Sequence, residues 1–323
     1  MLAAGVQAQQ ITYNVVEDDP DRYKPLAIML DPFYADAHNT NMTLGWSVRA
    51  DVLLLGRVEG RFDFRKAYLD MEYKDEDYAL PYAKNGLQKH TYMEAGASLF
   101  LFTKYKTKNL KITLSKTRSG NYETERYFMA PGTVKRLFGV RGGVSYLSSA
   151  TQIEEKVSIV DKSDGNNKVP IGGFGVNADG SATYQIHTQL RTATLYAGLH
   201  IKAINRLFVE VDGWGSRGHA RYADFYLDAL FAPVVSLQDV KTRGGKEWSV
   251  EGDGIIQRLG WRAGFSFRSP DRVWLSYKFE FGSRPGYKTG EKLLDNQKAF
   301  LMLGMGISLP FKAGRIEDRI KKK

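Results

Sequence analysis

The sequence predicts an all-β protein, a closed antiparallel transmembrane β-barrel of about 14 strands, with about 12 to 14 the range that the pattern allows. Three observations predict it. Apolar and polar residues alternate with period two through most of the 323-residue chain, and no stretch of about 12 or more residues sustains a helical period. Tight links alternate with long polar ones, the asymmetry expected of short turns at one end of a barrel and longer loops at the other. A sheet of that size without helices is difficult to leave open, because twist and unpaired edges favour closure.

The alternation is clearest in residues 44–69, LGWSVRADVLLLGRVEGRFDFRKAYL. Leu44, Trp46, Val48, Ala50, Val52 and Leu54, then Val58, Phe62 and Phe64, share one face. Arg49, Asp51, Arg57, Glu59, Arg61, Asp63 and Arg65 share the other. Further strands are predicted over 91–102, 110–116, 123–129 and 138–146, then over 193–201, 207–211, 223–231, 259–267, 273–281 and 301–311. Tight links fall at Gly56, at 104–108, near Pro131 and Gly132, at 203–205 and at 269–271; the long segments are 71–89, 148–182 and 283–298. Turning every tight link towards one end requires two more strands, within 23–37 and 233–250, which brings the count to about 14.

Composition narrows the class. The densest apolar stretch, 299–307, is far shorter than the roughly 18 to 20 residues of a spanning helix. Cysteine is absent, so disulfides, thiolate catalysis and Cys-based zinc sites are excluded. The net charge of +10, from 46 Lys and Arg against 36 Asp and Glu, would permit contact with polyanions. Most basic residues nevertheless alternate with acidic ones along strands, a poor footprint for a phosphate backbone, and no nucleic-acid partner is expected.

Alternation alone does not say which face is inside, since a soluble sandwich also has one apolar and one polar face per strand. Two features favour a polar interior. The polar faces carry Arg, Asp, Tyr, Gly and Ser, residues that pair within a confined space. Aromatic residues (Trp46, Phe62, Phe64, Phe138, Tyr146, Phe231, Phe267 and Phe281) gather near strand ends on the apolar faces, as interfacial girdles do. A third feature is the opening MLAAGVQAQQ, in which Val6, Gln7 and Ala8 look like the end of a secretory signal peptide. The expected organisation is a signal-peptide remnant over 1–8, a single barrel over 9–311 and a basic periplasmic tail over 312–323.

On these residues the chain resembles a Gram-negative outer-membrane β-barrel, and VQAQQ before a Tyr-containing start resembles such proteins from Bacteroidota. A count near 14 is similar to the hydrophobic-solute transporters typified by the long-chain fatty-acid channel, although no N-terminal hatch sequence is present. The last strand resembles the aromatic-ended assembly signal, with Phe311 as its last member, and departs from it in the basic segment that follows. The resemblance implies an integral outer-membrane location, with membrane lipid and other outer-membrane proteins as partners.

The candidate site is the charge ladder Arg49, Asp51, Arg57, Glu59, Arg61, Asp63 and Arg65, with Glu210, Asp212, Asp224 and Asp228 as an opposing acidic stripe. Such charges either line a water-filled passage or cross-link the barrel wall through ion pairs on neighbouring strands. Residues 177–181, NADGS, lack the spacing of a calcium loop and read as a turn. Of the five His residues, none lies in a nucleophile motif; His219 near Asp212 and Asp224 is the one arrangement with catalytic chemistry to test. No cofactor or metal motif is present. The expected function is non-enzymatic, porin-like passage of small polar solutes; the alternative is a plugged barrel that serves as a structural subunit of a larger outer-membrane assembly.

Overall fold

In the computed structural model the described residues, 11–38, 41–71, 82–153, 158–163, 168–170, 186–241, 245–251, 256–268, 274–287 and 299–311, form strands and connections without a helix. In chain order the strands are β1 (Tyr13–Asp18), β2 (Leu26–His38), β3 (Asn41–Leu54), β4 (Val58–Asp70), β5 (Tyr82–Ala83), β6 (Thr91–Ser119), β7 (Tyr122–Ile153), β8 (Ser158–Asp161) and β9 (Lys168–Pro170). They continue as β10 (Ile186–Val211), β11 (Gly215–Leu237), β12 (Val240–Lys241), β13 (Glu247–Glu251), β14 (Ile256–Gln257), β15 (Leu259–Arg268), β16 (Trp274–Ser283), β17 (Gly286–Tyr287) and β18 (Ala299–Phe311).

Ten of these close into an antiparallel barrel in the order β2, β3, β4, β6, β7, β10, β11, β15, β16, β18, and β18 returns to β2. The pairing of β7 with β10, from Ile153 opposite Ile186 to Val134 opposite Asn205, joins the two halves. One strand, β1, stays outside and pairs with β10 over Leu207 to Val211, just past the point where β7 leaves it. At the loop end, short strands make a five-stranded sheet, β5-β12-β13-β8-β9, and the pair β14 and β17.

The strand count corrects the expected 14. The expected links at 104–108, 131–132 and 203–205 lie inside β6, β7 and β10. These strands, 29, 32 and 26 residues long, run past the barrel as two hairpins, which turn instead at Gly120 and Gly213 with φ of 57° and 74°. The expected strand within 233–250 is the end of β11 followed by β12 and β13 of the loop sheet, whereas the one within 23–37 is β2. The polar run at 104–108 misleads because residues 103–109 are exposed on both faces, past the end of the pairing of β6 with β4. Pro131 is tolerated in β7 because β10 no longer pairs there and needs no donor from it. The expected segments 1–8, 177–181, 269–271 and 312–323 lie outside the described residues.

Burial along β3 answers the question of faces. Thr43, Ser47, Arg49, Asp51 and Leu53 are buried, and Met42, Leu44 and Trp46 are exposed. The polar face points into the barrel. Leu199, Phe225, Phe265, Leu275 and Leu303 point outward from the other strands and are exposed, the reverse of a soluble sandwich.

The hairpins reuse the outward apolar phase. Leu110, Ile112 and Leu114 of β6, Ala130 and Val134 of β7, and Leu207, Val209 and Val211 of β10 pack into a second core outside the barrel. Tyr13 of β1, Phe128 and Trp214 seal it.

Two expectations follow. A Cβ on Gly143 would lie 2.3 Å from the Ala95 carbonyl oxygen and 2.7 Å from the Tyr196 hydroxyl, whereas one on Gly304 would make only ordinary contacts beyond 3.6 Å, the nearest at 3.7 Å. Gly143→Ala should therefore cost about 1–3 kcal/mol in equilibrium unfolding, and Gly304→Ala much less. In the loop sheet, hydrogen bonds from Lys246 and Ser163 hold the Asp161 carboxyl down at about 2. Its stabilisation is complete above about pH 4 and lost as the pH falls through the folded value. Pepsin should accordingly cut around Trp248 only at the acid extreme, and Asp161→Asn should abolish that pH dependence.

Candidate functional site

The lumen is a stack of two layers. Towards the hairpin end, Leu53, Phe100, Leu137, Ile204 and Tyr222 point inward from β3, β6, β7, β10 and β11 and pack together, with Tyr23 against them. Above this apolar layer every inward strand contributes polar groups, and these are joined to one another.

Asp31 of β2 accepts from Arg49 Nε at 2.7 Å and from Ser47 at 2.7 Å. Asp36 takes both terminal nitrogens of Arg284 at 2.8 Å, a bidentate pair. Arg65 bridges Asp63 and Glu280, each at 2.7 Å, and Lys278 reaches Asp63 at 2.6 Å and Glu280 at 3.2 Å. Arg262 joins Glu94 at 2.5 Å to Asp228 at 2.9 Å, and Arg141 joins the same two at 3.0 and 3.4 Å. Lower in the barrel, Lys202 bridges Glu59 at 2.9 Å and Asp224 at 2.6 Å. Arg61 lies 3.3 Å from Asp51 and 3.8 Å from Glu59, and Arg268 lies 3.6 Å from Asp51.

The balance of this set is its main property. Among the described residues, nine basic side chains (Arg49, Arg61, Arg65, Arg141, Lys202, Arg262, Arg268, Lys278, Arg284) meet nine carboxylates (Asp31, Asp36, Asp51, Glu59, Asp63, Glu94, Asp224, Asp228, Glu280) in this network. A charge enclosed away from water costs several kcal/mol unless a partner is close, so a closed polar lumen is stable only near neutrality.

Glycines and tyrosines set the spacing. Gly96 and Gly143 leave room for the Tyr196 ring, and Gly264 leaves room for Tyr226. The Arg141 guanidinium stacks 3.9 Å from the Tyr226 centroid and 5.1 Å from that of Tyr196, and Arg262 lies 4.8 Å from Tyr196. Tyr226 donates to Glu280 at 2.5 Å and Tyr92 to Glu94 at 2.7 Å. Arg141 and Arg262 are thus each held by Glu94 and Asp228 and by aromatic rings.

Of the expected ladder, Arg49, Asp51, Glu59, Arg61, Asp63 and Arg65 line the lumen, but Arg57 is exposed beside the 55–56 turn. Of the expected acidic stripe, only Asp224 and Asp228 are inside. Glu210 lies on the inward phase of β10 and Asp212 in the turn that follows, both beyond the barrel's end and exposed at a hairpin tip. The two charge signs do not form opposed stripes; they are interleaved around the wall.

His219, expected near Asp224, instead places Nδ1 3.0 Å from the Lys111 carbonyl oxygen and ties one hairpin to the other. The histidine beside Asp224 is His200, with Nε2 at 3.2 Å from the carboxylate and Nδ1 at 2.9 Å from Ser98 Oγ. Serine, histidine and aspartate here follow the order of a nucleophilic triad. Phe100 covers the imidazole at 5.0 Å, however, and the group is enclosed, so the arrangement holds charge rather than presenting a nucleophile. Glu59, His200 and Asp224 also have the spacing of a three-ligand metal group. The Lys202 ammonium already bridges two of those ligands, so the donor set does not fit a resident cation.

The partners that sequence reasoning left aside, Glu94, Arg141, Lys202, Arg262, Lys278 and Glu280, all carry the inward phase of their strands. Their sign was legible; their partners, several strands away, were not. No protein-family profile matches the chain, and no curated protein matches it.

Lys202→Met should leave Glu59 and Asp224 without their bridge and cost about 3–5 kcal/mol in equilibrium unfolding. The triple substitution Lys202→Met, Glu59→Gln, Asp224→Asn should recover much of that loss, because no unpaired charge remains.

Proposed function

We propose that the chain is an integral outer-membrane barrel with a closed lumen, acting as a structural or accessory subunit of a larger outer-membrane assembly. The observation that carries this reading is the double seal, a charge-neutral ion-pair layer resting on the apolar layer of Leu53, Phe100, Leu137, Ile204 and Tyr222. A solute crossing it would have to separate buried ion pairs and then pass a mainly aliphatic and aromatic layer that leaves it little but the Tyr222 hydroxyl to bond.

Membrane residence is supported by the outward face. Its apolar residues are exposed all around the barrel, far more apolar surface than a soluble monomer presents. Aromatic residues gather at two levels. Tyr146, Phe231, Trp261 and Phe281 stand towards the loop end, and Phe102, Phe138, Phe267 and Tyr277 towards the hairpin end. Phe231 stands eight positions along β11 from Ala223, the neighbour of Phe267. That is about 20 Å of height for a strand tilted ~40°, close to the apolar band of an outer-membrane barrel.

Passage of small polar solutes is the second reading, favoured by the polar lining alone. Planar-bilayer recording separates the two, with no stepwise conductance expected from the closed subunit. Stable conductance from the wild type would replace this reading with passage. Leu303→Arg should cost about 2–4 kcal/mol in vesicles if that side chain faces the bilayer core, and recovery of the wild type from the aqueous phase without detergent would remove the membrane altogether.

A further inference from the structure

Among the described residues, the hairpin end carries basic side chains that no carboxylate answers. Along β6 the exposed apolar run Leu99, Leu101 and Phe102 gives way at once to Lys104, Lys106 and Lys108. The register places Phe102 directly opposite Phe138 of β7 and, two residues on, Lys104 directly opposite Arg136. On the other side of β6, the Phe100 amide donates to the Arg57 carbonyl at 2.7 Å, which sets the exposed Arg57 turn beside the same level.

Like charges facing each other across a strand pair are destabilising unless an anion lies between them. Among the described residues, Arg57, Lys104, Lys106, Lys108 and Arg136 make no ion pair. Of the cations further out on the same hairpin, Lys111 and Lys116 make ion pairs, whereas Arg118 and Arg126 make none among the described residues. Lys111 pairs with Glu125, and Lys116 pairs with Glu123 at 3.1 Å. Asp21 is engaged on the opposite face of β6, by Lys135 and by Tyr105 at 2.8 Å. The unanswered charge is therefore densest in the band next to the apolar belt, where Arg57, Lys104, Lys106, Lys108 and Arg136 all lack an ion-pair partner among the described residues.

We propose that Arg57, Lys104, Lys106 and Arg136 form a binding surface for the phosphates of anionic lipid headgroups. It rests on the membrane-spanning reading above. Aromatic residues at the edge of the hydrocarbon followed directly by cations is the order that a bilayer interface imposes. Headgroup phosphates within a Debye length supply the anions that the register of Lys104 and Arg136 lacks. An acidic protein partner would be served equally well by cations along the whole hairpin. The distal lysines, already neutralised within the hairpin, favour the lipid.

The test compares vesicles of phosphatidylcholine with vesicles in which about a third of the lipid is phosphatidylglycerol. The wild-type chain should insert into both and resist urea better in the anionic vesicles, and the difference should fade near 1 M salt, where the Debye length is about 3 Å. Each cation removed should lower the ratio of unfolding constants between the two vesicles by about fivefold. The variant Arg57→Gln, Lys104→Gln, Lys106→Gln, Arg136→Gln should unfold alike in both. If that variant does not fold, Lys104→Gln and Arg136→Gln singly, with the wild-type salt series, read the same effect. Wild-type insertion with equal urea resistance in the two lipids overturns the headgroup site and leaves the membrane reading standing. Insertion into neither overturns both. A phosphatidylglycerol effect that the variants retain also overturns the assignment to these four residues.

Discussion

Closing ten strands into a barrel encloses one face of each, and in this protein the enclosed face is the charged one. Everything inside follows from the cost of holding charge away from water. A carboxylate such as Glu280 is affordable there because Arg65, Lys278 and the Tyr226 hydroxyl converge on it. Glu94 is held in the same way by Arg141, Arg262 and Tyr92. These partners come from strands far apart in the sequence, so the network joins the wall across its diameter as well as around its circumference. The glycines of β6, β7 and β15 belong to the same solution, since they give the tyrosines that stack on the guanidinium groups somewhere to lie.

The same constraint shapes the ends. The enclosed ion-pair network stops where Leu53, Phe100, Leu137, Ile204 and Tyr222 meet, and below that layer the wall opens into two hairpins. Their apolar residues continue the outward phase of the barrel strands, but here they turn towards each other and make a core of their own. One alternation thus serves two purposes along a single strand. On β10, Leu199 and Ile201 face the surroundings, whereas Leu207, Val209 and Val211 are buried against β6 and β7. Exposed Glu210 shows the converse, an inward phase with no lumen left to face.

These two halves of the molecule bear on function together. On the proposed reading, the enclosed ion-pair layer favours a scaffold over a conduit, and the hairpin pair extends a folded surface beyond the barrel. His200, Ser98 and Asp224 illustrate why geometry has to be weighed with enclosure. The order of atoms is that of a catalytic relay, yet Phe100 and Lys202 occupy the space and the ligand positions that a substrate or metal would require.

By itself the sequence determined what each strand does locally. Period two from Leu44 to Leu54 and from Val58 to Phe64 assigned β3 and β4, the alternation of charged and apolar residues defined two faces, and Arg, Asp, Tyr and Gly on one of them pointed to a confined interior. Pattern did not reveal where a strand ends once it leaves the wall. Lys104 to Lys108 reads as a turn because polar residues on both faces normally mark one, and here they mark a hairpin exposed on both sides. Tertiary structure alone decided that ten strands close, that Arg57, Glu210 and Asp212 fall outside the lumen, and that Lys202 rather than a metal bridges Glu59 and Asp224. The reason is physical: side-chain alternation is a property of one strand, whereas charge pairing and closure depend on which strands are brought face to face across the barrel.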